Sequence, residues 1–320
     1  MQDSERWYVI DGEDYPSVTT VLSAVVAKPF LIDWKLKLQK ESIRRWQNSS
    51  GTKRVDFEDP ETSEAIDNTL GVLATHAIGI GNIVHDLINQ TTRNPSLWDE
   101  LMFSLKDSID ESPTASNPLV SELRDIFESN GFEYGGDKKS STGNIDPYTM
   151  PIINALEGWR AWCKDFDVSV NPELGTTGRF EIIESESLLY NKTDKYAGTA
   201  DFILVDNQHP EKRMIVDIKT GGLYNDYLYQ VSAYAKAYES MTGQDFINGM
   251  RLVVSNCYVL QLKKEVPKKA NRYAFKEAAS WRELYINGFK PAFDWWASQK
   301  RYSLGGQIQA DKFMNNIGRA

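Results

Sequence analysis

Three charged side chains interrupt two apolar segments near the middle of the 320-residue sequence. Asp201 lies within "YAGTADFILVD", and Asp217 and Lys219 lie within "KRMIVDIKT". Short apolar runs bounded by turn residues predict adjacent strands, which would bring the two carboxylates close together. Like charges at short distance repel unless a cation lies between them, and a hard divalent metal prefers oxygen ligands. The pattern therefore predicts a metal site.

Lys219 adds a positively charged group to this predicted site. Asp217 and Lys219 are separated by one residue, so both side chains point to the same face of a strand. An ammonium group beside a metal-bound carboxylate can hold or activate an attacking water. A triplet of Asp or Glu, any residue and Lys is expected by chance roughly a few times in such a chain, so its meaning depends on the surrounding residues.

Other candidate residues lie in the neighbouring segments. Glu184 and Glu186 share one parity in the preceding strand "RFEIIESESLLY", and we favour Glu184 because it follows two isoleucines. After the second strand, "LYNDYLYQVSAYAKAYESM" has the period of a helix of about 18 residues. Gln230 and Tyr234 are spaced i and i+4 on it, so they share one face.

The N-terminal third is predicted to be mainly helical. A short strand and a turn at residues 12–14 precede a helix launched by "PSVTTVL", which Ser17 or Thr19 can cap. A second helix is predicted from about residue 30 to 46, and the polar run "QNSSGTKRVDFEDPET" is predicted to be a loop. A further helical pattern carries His85 just off its apolar stripe, and Gly79 and Gly81 interrupt that pattern.

The remaining segments complete an α/β pattern. Residues 91–150 are predicted to be helical in patches, forming an insertion or lid, and a helix follows at about 151–165. Three strands joined by hairpin turns, the long helix, one further strand or pair in "MRLVVSNCYVLQLKKE" and a closing helix through "FKEAASWRELYINGFKPAFDWW" come next. This order predicts the fold class α/β with a mixed central β-sheet flanked by helices.

We expect residues 1–320 to form a single domain. Its predicted parts are an N-terminal helical part (7–75), a catalytic core (76–90 and 151–262), a helical insertion or lid (91–150) and a C-terminal helical part (263–320).

Composition narrows the class of protein. The chain is 41% hydrophobic and 25% charged, as in folded globular proteins, and its apolar runs fall short of the roughly 18 residues of a spanning helix. The acidic N-terminus is unlike a signal or transit peptide, so we expect a cytoplasmic protein. The net charge of −9 argues against a broad basic face, although a deep site can be locally basic.

Cysteines and lysines give two further expectations. Cys163 and Cys257 lack CxxC spacing and are expected to be buried, and two cysteines are too few for an iron–sulfur cluster held by four thiolates. The clusters "KLKLQK" and "KKEVPKKANR" are expected to be solvated, and they are the best local candidates for phosphate contacts.

The ordered set of "GNIVH" with His85, "GTAD" with Asp201, "IVDIK" with Lys219, and "QVSAY" with Gln230 and Tyr234 resembles the PD-(D/E)xK nuclease superfamily. Within it, the set is similar to the RecB-like exonuclease branch, which includes the mitochondrial genome maintenance exonuclease and phage nucleases. "YPSVTTVL" and "LIDW" are similar to a segment of phage members. The resemblance covers about residues 7–45 and 76–262.

The resemblance implies a restriction-endonuclease-like core and a role for each matched residue. Asp201, Asp217 and the carbonyl of Ile218 would bind Mg²⁺ or Mn²⁺, with Glu184 as an accessory ligand and His85 ligating or flanking the metals. Lys219 would orient or activate the water, and Gln230 and Tyr234 would position Lys219 or the DNA backbone. The implied reaction is metal-assisted hydrolysis of a phosphodiester.

Ala200 stands where some superfamily members have proline, which is normal for the RecB-like pattern. The leading hypothesis is a metal-dependent DNA exonuclease acting on single-stranded ends in replication, recombination or repair. The similarity to phage members extends this hypothesis to a phage-encoded enzyme. One alternative is a structure-specific or nicking endonuclease with the same site. Another is an inactive nucleic-acid-binding or assembly protein of the nuclease fold.

Overall fold

A curled six-stranded mixed sheet forms the centre of the protein. The computed structural model describes residues 5–26, 29–52, 54–110, 118–132, 148–169, 178–243, 245–265 and 271–300. From one edge to the other, the strands of the sheet are Tyr273–Glu277 (β10), Val253–Leu262 (β9), His209–Lys219 (β6), Tyr196–Asp206 (β5), Phe180–Asn191 (β4) and Val168–Ser169 (β3). Two hairpins form separate two-stranded sheets, Trp7–Ile10 (β1) with Glu13–Pro16 (β2), and Phe246–Ile247 (β7) with Met250–Arg251 (β8).

Helices cover both faces of this sheet. They are Val18–Val25 (α1), Pro29–Ser50 (α2), Pro60–Arg93 (α3), Leu97–Asp110 (α4), Pro118–Ser129 (α5), Thr149–Asp165 (α6), Asp226–Thr242 (α7) and Trp281–Leu284 (α8). The last continues through a π-helical turn at Tyr285–Phe289 and on to residue 300. The predicted α/β class with a mixed, helix-flanked sheet is confirmed at this level.

The connection between β6 and β9 sets the position of α7. Strands β4, β5 and β6 are antiparallel and joined by tight turns, as the hairpin signals predicted. Strands β6 and β9 are parallel, and parallel neighbours require a crossover, which α7 supplies. The start of α7 is therefore held beside the end of β6, where Asp217 and Lys219 lie.

Two hydrophobic cores lie on the two faces of the sheet. On one face, α3, α4, α5 and α6 pack through buried side chains that include Leu105, Phe127 and Trp159. On the other face, α1, α7 and the C-terminal helix pack around Tyr196 and Phe289. The predicted helices within residues 91–150 are thus part of the main core where the structure describes them. Residues 111–117 and 133–147 of the predicted lid lie outside the described residues.

Gly79 and Gly81 do not interrupt a helix, contrary to the sequence prediction, because α3 runs unbroken through both. A Cβ atom on Gly79 would lie 2.3 Å from the Phe132 ring and 2.9 Å from the Asn130 carbonyl oxygen. A Cβ atom on Gly81 would lie 3.0 Å from Thr220 Oγ1. These glycines therefore allow close approach of other segments to α3.

By length and composition α3 is apolar enough to cross a membrane, with a mean hydropathy of 1.2 in its most apolar window. Core helices of soluble proteins pass the same test. Here the buried side chains of α3, among them Ile83, Leu87 and Ile88, belong to the core beneath the sheet. Since 39% of that window is buried, packing accounts for part of the apolar composition of α3.

Two predicted element boundaries are wrong. Helix α2 extends to Ser50, which shortens the predicted loop. Residues 275–277, predicted as the start of the closing helix, belong to the edge strand β10, which pairs with β9. An edge strand of five residues carries too little periodicity to be distinguished from a helix start. The predicted limit between residues 75 and 76 lies within α3.

Gly79→Ala should destabilise the protein, because the added methyl group must displace Phe132 and the backbone of Asn130. Overpacking of this kind costs roughly 1–3 kcal/mol. The matched control is Gly71→Ala in the same helix, where nothing lies within 4 Å of the new atom. That control should gain about 0.5–1 kcal/mol through helix propensity. Urea unfolding measures both, and equal effects would contradict the packing role of Gly79.

Candidate active site

Asp201 and Asp217 lie where β5 and β6 separate. The β5–β6 ladder includes the pair Phe202 and Val216 but not the next opposed pair, which is Asp201 and Asp217. Asp217 is close to the end of β6, whereas Asp201 is in the middle of β5. The two acids therefore meet at the end of a ladder inside the sheet.

Asp201 takes the place of a backbone partner at this gap. Its Oδ2 accepts a hydrogen bond of 2.5 Å from the Ile218 N–H, and His85 Nδ1 lies 3.6 Å from its Oδ1. Burial would raise the pKa of Asp201, but the charge and hydrogen bond of His85, together with Lys219 and the Ile218 N–H, lower it below its ordinary value. Burial lowers the pKa of His85, and Asp201 more than restores it.

Asp217 and Lys219 form a close ion pair on one face of β6. Lys219 Nζ lies 2.5 Å from Asp217 Oδ2 and 5.0 Å from the centre of the Tyr227 ring. The Asp217 side chain is only 2% exposed, while that of Lys219 is 21% exposed. Burial, opposed by Lys219 and assisted by Asp201, raises the pKa of Asp217. The lysine is thus the member of the pair that reaches solvent.

Helix α7 contacts the other carboxylate oxygen of Asp217, the one that Lys219 does not pair with. Gln230 Nε2 donates to Asp217 Oδ1 at 3.1 Å and to Tyr234 Oη at 2.8 Å. Tyr234 packs against Gly198 of "GTAD", where a Cβ atom would lie 2.5 Å from its ring. The predicted shared face of Gln230 and Tyr234 is confirmed, and glycine at 198 makes room for it.

The carbonyl of Ile218 faces the same gap. In an extended strand the N–H and C=O of one residue point toward the same neighbour. Since the Ile218 N–H donates to Asp201, its carbonyl oxygen is also directed toward the space between β5 and β6.

Glu186, and not the favoured Glu184, lies beside Asp201. Ligand atoms of Glu186, His85 and Asp201 all lie within 4.8 Å of one another. Glu184 instead accepts a hydrogen bond from Ser187 at 2.7 Å, and both glutamates are exposed residues. Partial burial of the Glu186 carboxyl group, followed by the charge of Asp201, raises its pKa.

The position of each acid along β4 explains this difference. In the β4–β5 register Glu184 is opposite Ile203, whereas Glu186 falls at the position opposite Asp201. Glu186 also has a φ of 52°, in the left-handed region that non-glycine residues rarely adopt. The two preceding isoleucines, on which the preference for Glu184 rested, carry no information about this pairing. The left-handed conformation at Glu186 has no sequence signal such as glycine or asparagine.

Tyr8 is a further residue at this site that the sequence did not indicate. Its hydroxyl lies 3.1 Å from Thr199 Oγ1, two residues before Asp201. The β1–β2 hairpin reaches β5 in this way, and the Ser17 cap that begins α1 follows it directly. The N-terminal segment thus closes one side of the site.

The donor set fits a hard divalent cation. Carboxylate oxygens are the ligands that Mg²⁺ prefers, and an added imidazole suits Mn²⁺ as well. Without a cation, two buried acids and a nearby third carboxyl group are offset by Lys219 and the partly exposed His85. A buried ion pair contributes little net stability, so such a cluster is more typical of a functional site than of a folding element.

Glu186→Gln should weaken Mn²⁺ binding, because it removes a carboxylate from the Asp201 and His85 cluster. The loss should be at least the roughly tenfold that removal of an outer-shell partner costs. Glu184→Gln is the matched control and should bind Mn²⁺ like the wild type. Titration followed by Mn²⁺ electron paramagnetic resonance measures both, and a greater loss in Glu184→Gln would reverse the assignment.

No family model matches this chain, and no curated protein matches its sequence. The functional argument therefore depends on the site itself: an Asp–Asp pair at the gap between two strands, a lysine beside it, and a histidine and a glutamate at its edge.

Proposed function

We propose that this protein is a metal-dependent DNA exonuclease of the PD-(D/E)xK superfamily, in its RecB-like branch, with a restriction-endonuclease-like core. It hydrolyses phosphodiester bonds at single-stranded ends during replication, recombination or repair. Mg²⁺ or Mn²⁺ is the proposed cofactor, and the proposed location is the cytoplasm. The supporting observation is that His85, Asp201, Asp217, Lys219 and Gln230, far apart in sequence, meet at one gap in the sheet.

Asp201, Asp217 and Glu186 are the proposed metal ligands, with the Ile218 carbonyl and His85 completing the set. A bound divalent cation would polarise a phosphoryl oxygen and make water more acidic. Asp201 Oδ2 is fixed by the Ile218 N–H, while its Oδ1 faces His85 Nδ1 at 3.6 Å, so that oxygen and the imidazole could both ligate one cation.

Lys219 is the proposed catalytic cation. Its ammonium group is held next to Asp217 and reaches solvent, so it can orient the attacking water and neutralise charge that develops on the phosphate. Gln230 and Tyr234 position Asp217 through their hydrogen bonds and do not touch the phosphate in this proposal. The hydrogen bonds from Tyr234 through Gln230 to Asp217 hold the carboxylate in a fixed position relative to the Lys219 ammonium group.

The two alternative functions differ in what the same site would do. A structure-specific endonuclease would need the same Asp201, Asp217 and Lys219 but would accept DNA without an end. An inactive assembly protein would not need a lysine buried against an acid, because that pair contributes little to stability. The geometry therefore favours an active enzyme over a binding module.

Lys219→Met and Asp217→Asn should each reduce Mg²⁺-dependent cleavage of single-stranded DNA by about a hundredfold or more, as loss of one charge-stabilising group typically does. Lys212→Met, on the same strand but at its other end, is the matched control and should retain activity. Fluorescently labelled oligonucleotides measure the rates, and circular dichroism checks the fold. Full activity in Lys219→Met would remove the lysine from the mechanism.

A closed circle of single-stranded DNA separates an exonuclease from an endonuclease. The proposed enzyme needs an end, so it should degrade the linear form and leave the circle intact over the same period. Labels at the 5′ or the 3′ end of the linear substrate then give the direction of digestion. Cleavage of the circle at a rate equal to that of the linear form would support the endonuclease instead.

A further inference from the structure

Lys264 is a partly buried lysine that the proposed chemistry does not use. It follows the end of β9, the strand next to β6, and its Nζ lies 3.5 Å from the Ala77 carbonyl oxygen of α3. Within the described parts of the chain, Lys264 forms no ion pair with an acid. Burial lowers its pKa against the opposing charge of Glu265. An ammonium group taken from water without an ion-pair partner is costly unless an anion binds it.

The backbone around Lys264 is held in place from two sides. Asn154 Nδ2 of α6 donates to the Lys264 carbonyl oxygen at 3.0 Å, and Arg272 Nη1 donates to Asn154 Oδ1 at 3.2 Å. The Lys263 N–H donates to the Arg272 carbonyl oxygen at 2.9 Å, which extends the β9–β10 pairing. Lys264 therefore projects from a fixed position, unlike a lysine on a free loop.

One side of α3 connects Lys264 to the proposed active site. Ala77, Gly81 and His85 are spaced by four residues, so they lie above one another on this helix. Ala77 meets Lys264, Gly81 approaches Thr220, and His85 meets Asp201. Eight residues of helix rise about 12 Å, so Lys264 lies on the order of 12 Å along α3 from the metal-ligand cluster.

Thr220 and Gly81 lie between the two ends of this line. The absent side chain at Gly81 leaves α3 and Thr220 in close contact, so this contact covers the surface of α3 between the two ends. A bound strand would therefore pass over Thr220. Consecutive phosphates of one nucleic-acid strand are separated by several ångströms, so a strand on this course would present a second phosphate near Lys264.

We propose that Lys264 binds a backbone phosphate of the DNA strand a few nucleotides from the phosphate that is cleaved. This inference rests on the proposed function and adds a second anchor to it. Lys264 is a positioning residue: it fixes the register of the strand and takes no part in bond breaking. Its ligand is a phosphodiester within a strand, because a free phosphate at Lys264 would have no connection to the active-site end of α3.

The test compares Lys264→Met, Lys264→Arg and the control Lys212→Met with the wild type. Binding of a single-stranded oligonucleotide is measured in EDTA at several salt concentrations, which isolates the lysine from any metal. One phosphate contact on a single strand contributes about 0.7 to the slope of log affinity against log salt. Lys264→Met should lower the slope by about that amount and weaken binding roughly tenfold, whereas Lys264→Arg should retain both.

Oligonucleotides with one neutral methylphosphonate at successive positions then locate the contact. In the wild type, one position a few nucleotides from the cleaved bond should weaken binding, and Lys264→Met should lose that position alone. In cleavage assays with Mg²⁺ the same variant should raise KM and leave kcat unchanged. Its melting temperature should not fall, because methionine removes a buried charge and keeps the volume.

Each contrary result has a distinct meaning. If the wild type cleaves DNA but Lys264→Met shows the wild-type salt slope and interference pattern, the phosphate anchor is overturned and the proposed function stands. A lower melting temperature with an unchanged slope would make Lys264 a structural residue and overturn the anchor too. A wild type that neither binds nor cleaves single-stranded DNA would overturn the proposed function together with this inference.

Discussion

The site depends on one constraint: the carboxylates of Asp201 and Asp217 lie close together at the gap between β5 and β6. Two carboxylates buried together are strongly unfavourable without compensation. The compensation comes from the Ile218 N–H and His85 on one acid, and from Lys219 and Gln230 on the other. These partners come from β6, α3 and α7, so the sheet and its flanking helices must be assembled before the acids can be accommodated.

Close packing at glycines is the means by which the helices reach the acids. Gly81 brings α3 against Thr220, so that His85 one turn later can approach Asp201. Gly198 lets the ring of Tyr234 lie directly on β5, which places Gln230 beside Asp217. A methyl group at either position would meet an atom at 3.0 Å or less, and the affected helix would move away from the gap. The electrostatic balance thus depends on packing at residues that carry no charge.

The sequence predicted those parts of the site that follow from regular periodicity. Asp217 with Lys219 on one strand face, and Gln230 with Tyr234 on one helix face, needed only the repeats of 2 and 3.6 residues. The preference for Glu184 rested on its two preceding isoleucines, whereas the β4–β5 register, which the sequence does not specify, puts Glu186 opposite Asp201. Gly79 and Gly81 suggested a break in α3 because propensity is local, whereas the atoms that require glycine there come from residues 130–132 and 220.

The negative charge of the chain limits how it can bind an anionic polymer. With a net charge of −9, long-range attraction to DNA is weak, so affinity must come from short-range contacts at fixed cations. Lys219 is held against Asp217, whose negative charge offsets its own. In that position Lys219 adds little net attraction for DNA and acts mainly by orienting the groups it contacts. A second fixed cation that forms no ion pair among the described residues, such as Lys264, adds more attraction for each residue, and its distance along α3 selects one strand register. An acidic protein can in this way bind a strand at a defined place and avoid general affinity for nucleic acid.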